Sequence, residues 1–339
     1  MSPTLLRAAP VLALLLGGLS ACGDEVPPPD MAYDGPPARL SGSPSFAPAL
    51  EPAAAVLPLV PADATELTVT DLDEIRAQLG VPDLTSADLM ADRADFWVRA
   101  EAEAPLLAQG MLRDDASVLA LDYGFTQDDV DWEAHFTGPS GSGYVLAMRP
   151  DLDLSGVRRA VDAGVAGLAG AEVDEGTHLV TSGTTQDGAM SWGTDATVVD
   201  LVGAPSEATY VHRGCVPLDE ALGPDATAED QDAVLAHHDV DDLDDLHAFA
   251  VGFGDHLATV RTDLDRLDLF ERLRLGDDWP TADGLAFGDG FADGVADPTT
   301  GRIGYDVRRP PVAARLTLLG TLPFGICNEV TPLAEPTGL

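Results

Sequence analysis

"YVLAMRPDLD" (residues 144–153) and "HLATVRTDLD" (residues 256–265) decide how this chain folds. Arg149/Arg261, Asp151/Asp263, Leu152/Leu264 and Asp153/Asp265 are identical between them. Each begins as a compact apolar run, the pattern of a half-buried strand. Each follows another strand-like run, "EAHFTG" (133–138) in the first case and "LHAFAVGFG" (246–254) in the second. Each then leads into a helical stretch. In the first, Leu154, Val157, Val161, Val165 and Leu168 recur every three or four residues and form one apolar stripe. The second runs over Leu267–Leu275. The unit is hairpin, acidic turn, helix, and it occurs twice.

Working outward, further strand-like runs fall at 65–72, 117–124, 131–138, 143–150, 177–183, 196–203, 208–214 and 301–308. Helical patterns fall at 87–104, 228–237 and 311–319. Most strands come in adjacent pairs, which favours an α+β fold with antiparallel sheet over a doubly wound parallel one. We expect two related lobes, 62–203 and 204–339, each a sheet packed against helices, the product of an internal duplication.

The N-terminus supplies an address. Ala8 to Gly18 is an apolar core of roughly a dozen residues, too short for a bilayer span of about 20. It ends in "LSAC" (19–22), then turns at once into "GDEVPPP". A branched apolar residue, two small residues and a cysteine fit the lipobox, and this segment resembles the bacterial lipoprotein class. The resemblance implies cleavage after residue 21, lipidation of Cys22 and attachment to the outer face of the cell membrane. An ordinary secretory signal with an incidental Cys22 is the competing reading. Two acyl chains would meet the condition for stable anchoring. Residues 22–61, dense in Pro and Ala without helical or strand period, read as a disordered tether.

The chain holds 18 basic residues, all arginine, against 58 acids, a net charge of −40. Such a balance excludes nucleic acid as a partner, because phosphate contacts need clustered cations. The absence of lysine removes Schiff-base and P-loop chemistry. No H-E-x-x-H, G-x-S-x-G or C-x-x-C occurs; "GPSGSG" (138–143) reads as a hairpin loop. With Cys22 used by lipid, Cys215 and Cys327 remain, and in an exported protein two cysteines suggest one disulfide.

Three acidic stretches invite a metal reading beside a plainer one. Asp151, Asp153, Ser155, Gly156 and Asp162 occupy EF-hand positions, where calcium wants hard oxygens around a glycine bend. Arg158 and the missing bidentate Glu favour helix capping instead. "HHDVDDLDDLH" (237–247) with His256 could gather a metal, or be a solvated acidic loop. Asp283–Asp306, rich in Asp-Gly steps, could be a calcium-ordered loop or a series of turns. Trp97, Trp132, Trp192 and Trp279 lie singly and read as core anchors. No organic cofactor is indicated. The expected function is a membrane-anchored, non-enzymatic lipoprotein that binds a protein or small-molecule partner, with a pocket between the lobes as the place to look. The alternatives are an exported hydrolase with a spatially assembled site and a calcium-stabilised structural module.

Overall fold

The computed structural model describes residues 43–264 and 266–333. The signal sequence, Cys22 and Asp265 lie outside them. One ten-stranded antiparallel sheet organises the domain. In chain order its strands are β1 (Glu66–Asp71), β2 (Val130–Gly138), β3 (Gly141–Met148), β4 (Glu172–Asp174), β5 (Leu179–Ser182), β6 (Ala208–Arg213), β7 (Ala248–Gly254), β8 (Leu257–Arg261), β9 (Phe291–Asp297) and β10 (Arg302–Val307). The longer helices are α1 (Leu72–Gln78), α2 (Met90–Glu103), α3 (Ser155–Ala163), α4 (Ala196–Leu201), α5 (Ala228–His237), α6 (Leu269–Leu275) and α7 (Pro310–Leu318).

The spatial order is β4-β5-β3-β2-β1-β6-β7-β8-β10-β9. From the central β1/β6 pair outward, each side runs hairpin, then hairpin, in the same sequence. The fold is α+β, and its two halves repeat one plan within a single sheet. β2–β3 and β7–β8 each close through a two-residue loop, with Gly138 opposite Gly141 and Gly254 opposite Leu257. Counted from these loops, Glu133, His135 and Thr137 correspond to Phe249, Val251 and Phe253.

This geometry corrects the register of the sequence match. Aligning Arg149 with Arg261 sets Tyr144 against His256. His256 lies in the hairpin loop at φ 61°, whereas Tyr144 is inside β3. The strands differ in length, eight residues against five, so the match holds at the acidic turn and slips at the loop.

Both faces of the sheet are covered near its centre. On one face, Val56, Leu57 and Val60 join Trp192, Val198 and Leu201 over Val69, Ala134, Val145, Val211 and Ala250, so this core spans both halves. Residues 43–61 were expected in the tether, but their last part belongs to the body. Val56 and Val60 are fully buried, and the Trp192 N–H of the backbone donates to the Val60 carbonyl. Apolar Val and Leu between the prolines give this stretch something to bury. On the other face, α1, α2 and α3 cover the first half, while α5, α6 and α7 cover the second.

Local chemistry sets the element ends. The Asp71 carboxylate accepts from the Glu74 N–H and starts α1. Thr227 and Asp230 form a capping box at α5. Gly164, at φ 67°, ends α3 four residues short of the apolar stripe. Two expected strands are helical: 117–124 forms a short turn followed by a π-helix at Leu119–Tyr123, and Ala196–Leu201 is α4. In the second, Asp195 caps the helix through the N–H groups of Thr197 and Val198 and overrides the β-branched Val-Val pair. The Asp-Gly stretch contributes β9 as well as turns.

The Cys215–Cys327 disulfide is present and closes a separation of 112 residues. It joins the chain after β6 to the stretch that follows the turn Pro323–Gly325. All four tryptophans are buried in cores, at 0–9% exposure.

Candidate functional site

The coverings of the two halves leave a groove where they meet, over β2 and β1. It holds about 420 Å³ and is lined by Glu66, Thr68, Glu133, His135 and Thr137 from the strands, the segment Leu107–Met111 above them, and Leu318 of α7. The strands place these polar groups by simple alternation. Thr68 stands opposite His135 and Thr70 opposite Glu133, so all four share one face.

Glu133 is the anchor of the site. Its carboxylate is buried, at 1% exposure. The Met111 N–H donates to both oxygens (3.1 and 3.2 Å), and Gln127 Nε2 donates to Oε2 (2.9 Å). His135 Nε2 lies 2.5 Å from Oε1. Gln127 is itself fixed, because its Oε1 accepts from the Leu112 N–H at 2.9 Å. A buried carboxylate without such donors would be costly; with them it becomes a rigid orienting group.

The segment above the groove is pinned at three points. The Ala108 N–H donates to Thr70 Oγ1 (2.9 Å), and the amides of Met111 and Leu112 reach Glu133 and Gln127. Gly110 makes the close approach possible. Its φ is +84°, and a Cβ there would stand 2.8 Å from Gln127 Cγ. On the far side of β1, Tyr210 Oη donates to Glu66 Oε1 at 3.2 Å, and burial with the Glu66 charge raises the phenol well above its ordinary range. His212 Nε2 stands 4.0 Å from the same carboxylate oxygen.

The acidic stretches chosen from the sequence lie elsewhere. Asp153 accepts from the Ser155 N–H and hydroxyl (both 2.9 Å), which holds its carboxyl below the usual range. Asp151 and Asp162 are exposed. In 237–247, His238 faces Asp278 at 3.4 Å and Asp244 accepts from the Leu267 N–H, while His256 is in the β7–β8 loop. Among the described residues, no three acidic, imidazole or thiol groups converge as a metal would require. Among them, too, no helix is long and apolar enough to cross a membrane.

The sequence reading placed Glu133 and His135 in the strand-like run 131–138 and did not single them out. The misleading signal was the clean alternation of Trp132, Ala134 and Phe136, which turn to the opposite core. The informative signal was the contrast with Phe249 and Val251, visible only once the hairpin register is known. No protein-family model, curated protein or solved structure matches this chain.

Proposed function

We propose that the protein is a lipoprotein, anchored through Cys22 to the outer face of the cell membrane, whose α+β domain binds a small ligand in the groove over β2 and β1. The observation that carries the binding reading is the buried Glu133 carboxylate in contact with the partly exposed His135 ring. The equivalent strand positions in the second half hold Phe249 and Val251, which pack as core. A fold that fills these positions with apolar groups on one side has no structural need for a buried acid on the other. Polar groups kept against stability are a mark of a site. Glu66 and His135 are accessible enough to meet a ligand, and Leu107, Met111 and Leu318 supply an apolar flank. With a net charge of −40, the surface attracts cations. The favoured ligand is a small organic amine with an apolar portion.

Thermal melting of the full chain against a panel of alkyl and aryl amines tests this. A saturable rise in midpoint that disappears in His135→Val and in Glu66→Gln is expected. A flat response across the panel, or one unchanged by both substitutions, would contradict it. Anchoring is tested separately by detergent-phase partition: the wild type is expected in the detergent phase, and Cys22→Ser in the aqueous one.

The same Glu133–His135 contact favours one second reading, an exported hydrolase, because a carboxylate-oriented imidazole is the base half of many catalytic sites. Among the described residues no hydroxyl or thiol is hydrogen-bonded to the His135 ring, so His135 would have to activate a bound water. Turnover of ester or amide substrates lost in His135→Gln would select this reading over simple binding.

A further inference from the structure

Arginine is the only strong cation in this chain, and most arginines among the described residues hold a carboxylate, as Arg93, Arg113, Arg213, Arg266 and Arg308 do. Arg261 and Arg302 are different. They are direct cross-strand partners on β8 and β10. Residues so placed share a sheet face with their Cβ atoms about 5 Å apart, and like charges there repel. Among the described residues neither guanidinium has a carboxylate within ion-pair distance, and neither donates a hydrogen bond. Both line a concavity of 490 Å³, with Thr197, Asp200 and Thr300 around them and Leu264, 68% exposed, at its edge. Asp263 also lines it but faces Arg266 at 3.9 Å. Burial, followed by the neighbouring Arg302 charge, pushes Arg261 below the usual guanidinium range. Arg302 also stands opposite Asp297 on β9, a carboxylate held low by bonds from Thr299 and Thr300 and then by the Arg302 charge, so the two guanidiniums repel with one acid nearby but none in ion-pair contact among the described residues.

The geometry points to Arg261 and Arg302 as an oxyanion-binding site that takes a single phosphate, sulfate or carboxylate group of a small ligand between two guanidiniums. Paired forks of N–H donors suit the oxygens of such a group. Asp200 on the wall disfavours a polyanion and admits one anionic group. This site lies away from the Glu133 groove, and neither depends on the other.

Calorimetric titration of the full chain with inorganic phosphate, sulfate and acetate at fixed ionic strength tests the assignment. Saturable binding of at least one of them is expected, weakened about tenfold or more by Arg261→Gln or Arg302→Gln. Arg309→Gln, an exposed arginine outside the concavity, should leave it unchanged. Arg302→Lys keeps the charge and should retain part of the affinity. Without anion, Arg302→Gln should melt close to the wild type, since the relieved repulsion from Arg261 offsets the lost attraction to Asp297; that separates lost binding from lost folding. No saturable binding of any of the three anions, equal loss in Arg309→Gln, or unfolding of Arg302→Gln at the titration temperature with Arg261→Gln binding as tightly as the wild type would overturn the proposal.

Discussion

The two halves of the sheet share one plan and differ in how they are held and in what they expose. The first half is fixed through Arg76 of α1, fully buried, which donates to the Val130 and Asp128 carbonyls and to Asp131. The second is fixed through Arg272 of α6, equally buried, which donates to the Phe324, Ile326 and Asp244 carbonyls and to Asp268. Each cation gathers loose backbone ends that no strand partner satisfies. The second half adds the disulfide and a continuous aromatic core in which Phe287 stacks on Phe291 and both meet Tyr305 and Phe324 edge to face. The first half has no disulfide and keeps Glu133 and His135 on its inner face. A fold whose two halves repeat one plan can dedicate one half to stability and leave the other free to carry polar groups.

The sharpest way to break this contrast is at the two arginines. Arg272→Leu would leave the Phe324 and Ile326 carbonyls buried without their donor and take one cation from Asp268, which keeps Arg266, and should destabilise by about 3–5 kcal/mol. Arg76→Leu should act in the same direction by a smaller amount, because Asp131 is half-buried and can reach water. Denaturant melts of both variants give the comparison; an Arg76 effect larger than the Arg272 effect would reverse it.

Next in size is the disulfide. Cys215→Ala with Cys327→Ala should lower stability by about 2–5 kcal/mol. Hydrogen exchange should then rise first in α5, α7 and the 323–327 stretch, and the first half should keep its protection. Equal loosening of both halves would mean that they do not differ in the way described.

Acidity separates the halves more gently. Burial raises Asp71, at the end of β1, from 3.8 to about 7. The folded state therefore holds a proton that the unfolded chain has already lost, so stability falls as pH rises between those values. Asp71→Asn keeps the cap on α1 and removes the penalty. Its melting point should match the wild type near pH 4 and exceed it at pH 8. A wild-type advantage at pH 8 would show that the carboxylate is charged and partnered.

The smallest effect is expected from giving the first half a residue of the second. His135→Val copies Val251 and should change stability by under about 1 kcal/mol, because Glu133 keeps its bonds to Met111 and Gln127. A large loss would make the imidazole a structural group.

Much of this plan could be read from residues alone. The paired apolar runs gave the antiparallel strands, the helical pattern at 228–237 is α5, and the two cysteines left beside Cys22 form the disulfide. Periods failed where a cap outweighed propensity, as at Asp195 before α4. They failed again where short strands hid among Asp-Gly turns, as in β9. The groove was out of reach for a different reason. A strand covered on both faces can carry Glu and His inward, and alternation cannot tell a buried polar face from a wet one. Acidic clusters drew attention by density, yet Asp153 serves a helix start.

The groove above Glu133 is the proposed binding site. Co-crystallising the full chain with the amine that gives the largest rise in melting point tests it most directly. The amine nitrogen is predicted over β2 and β1, within hydrogen-bond reach of Glu66 and beside the His135 ring. An amine seated elsewhere, or a groove filled only by water at saturating ligand, would contradict the assignment.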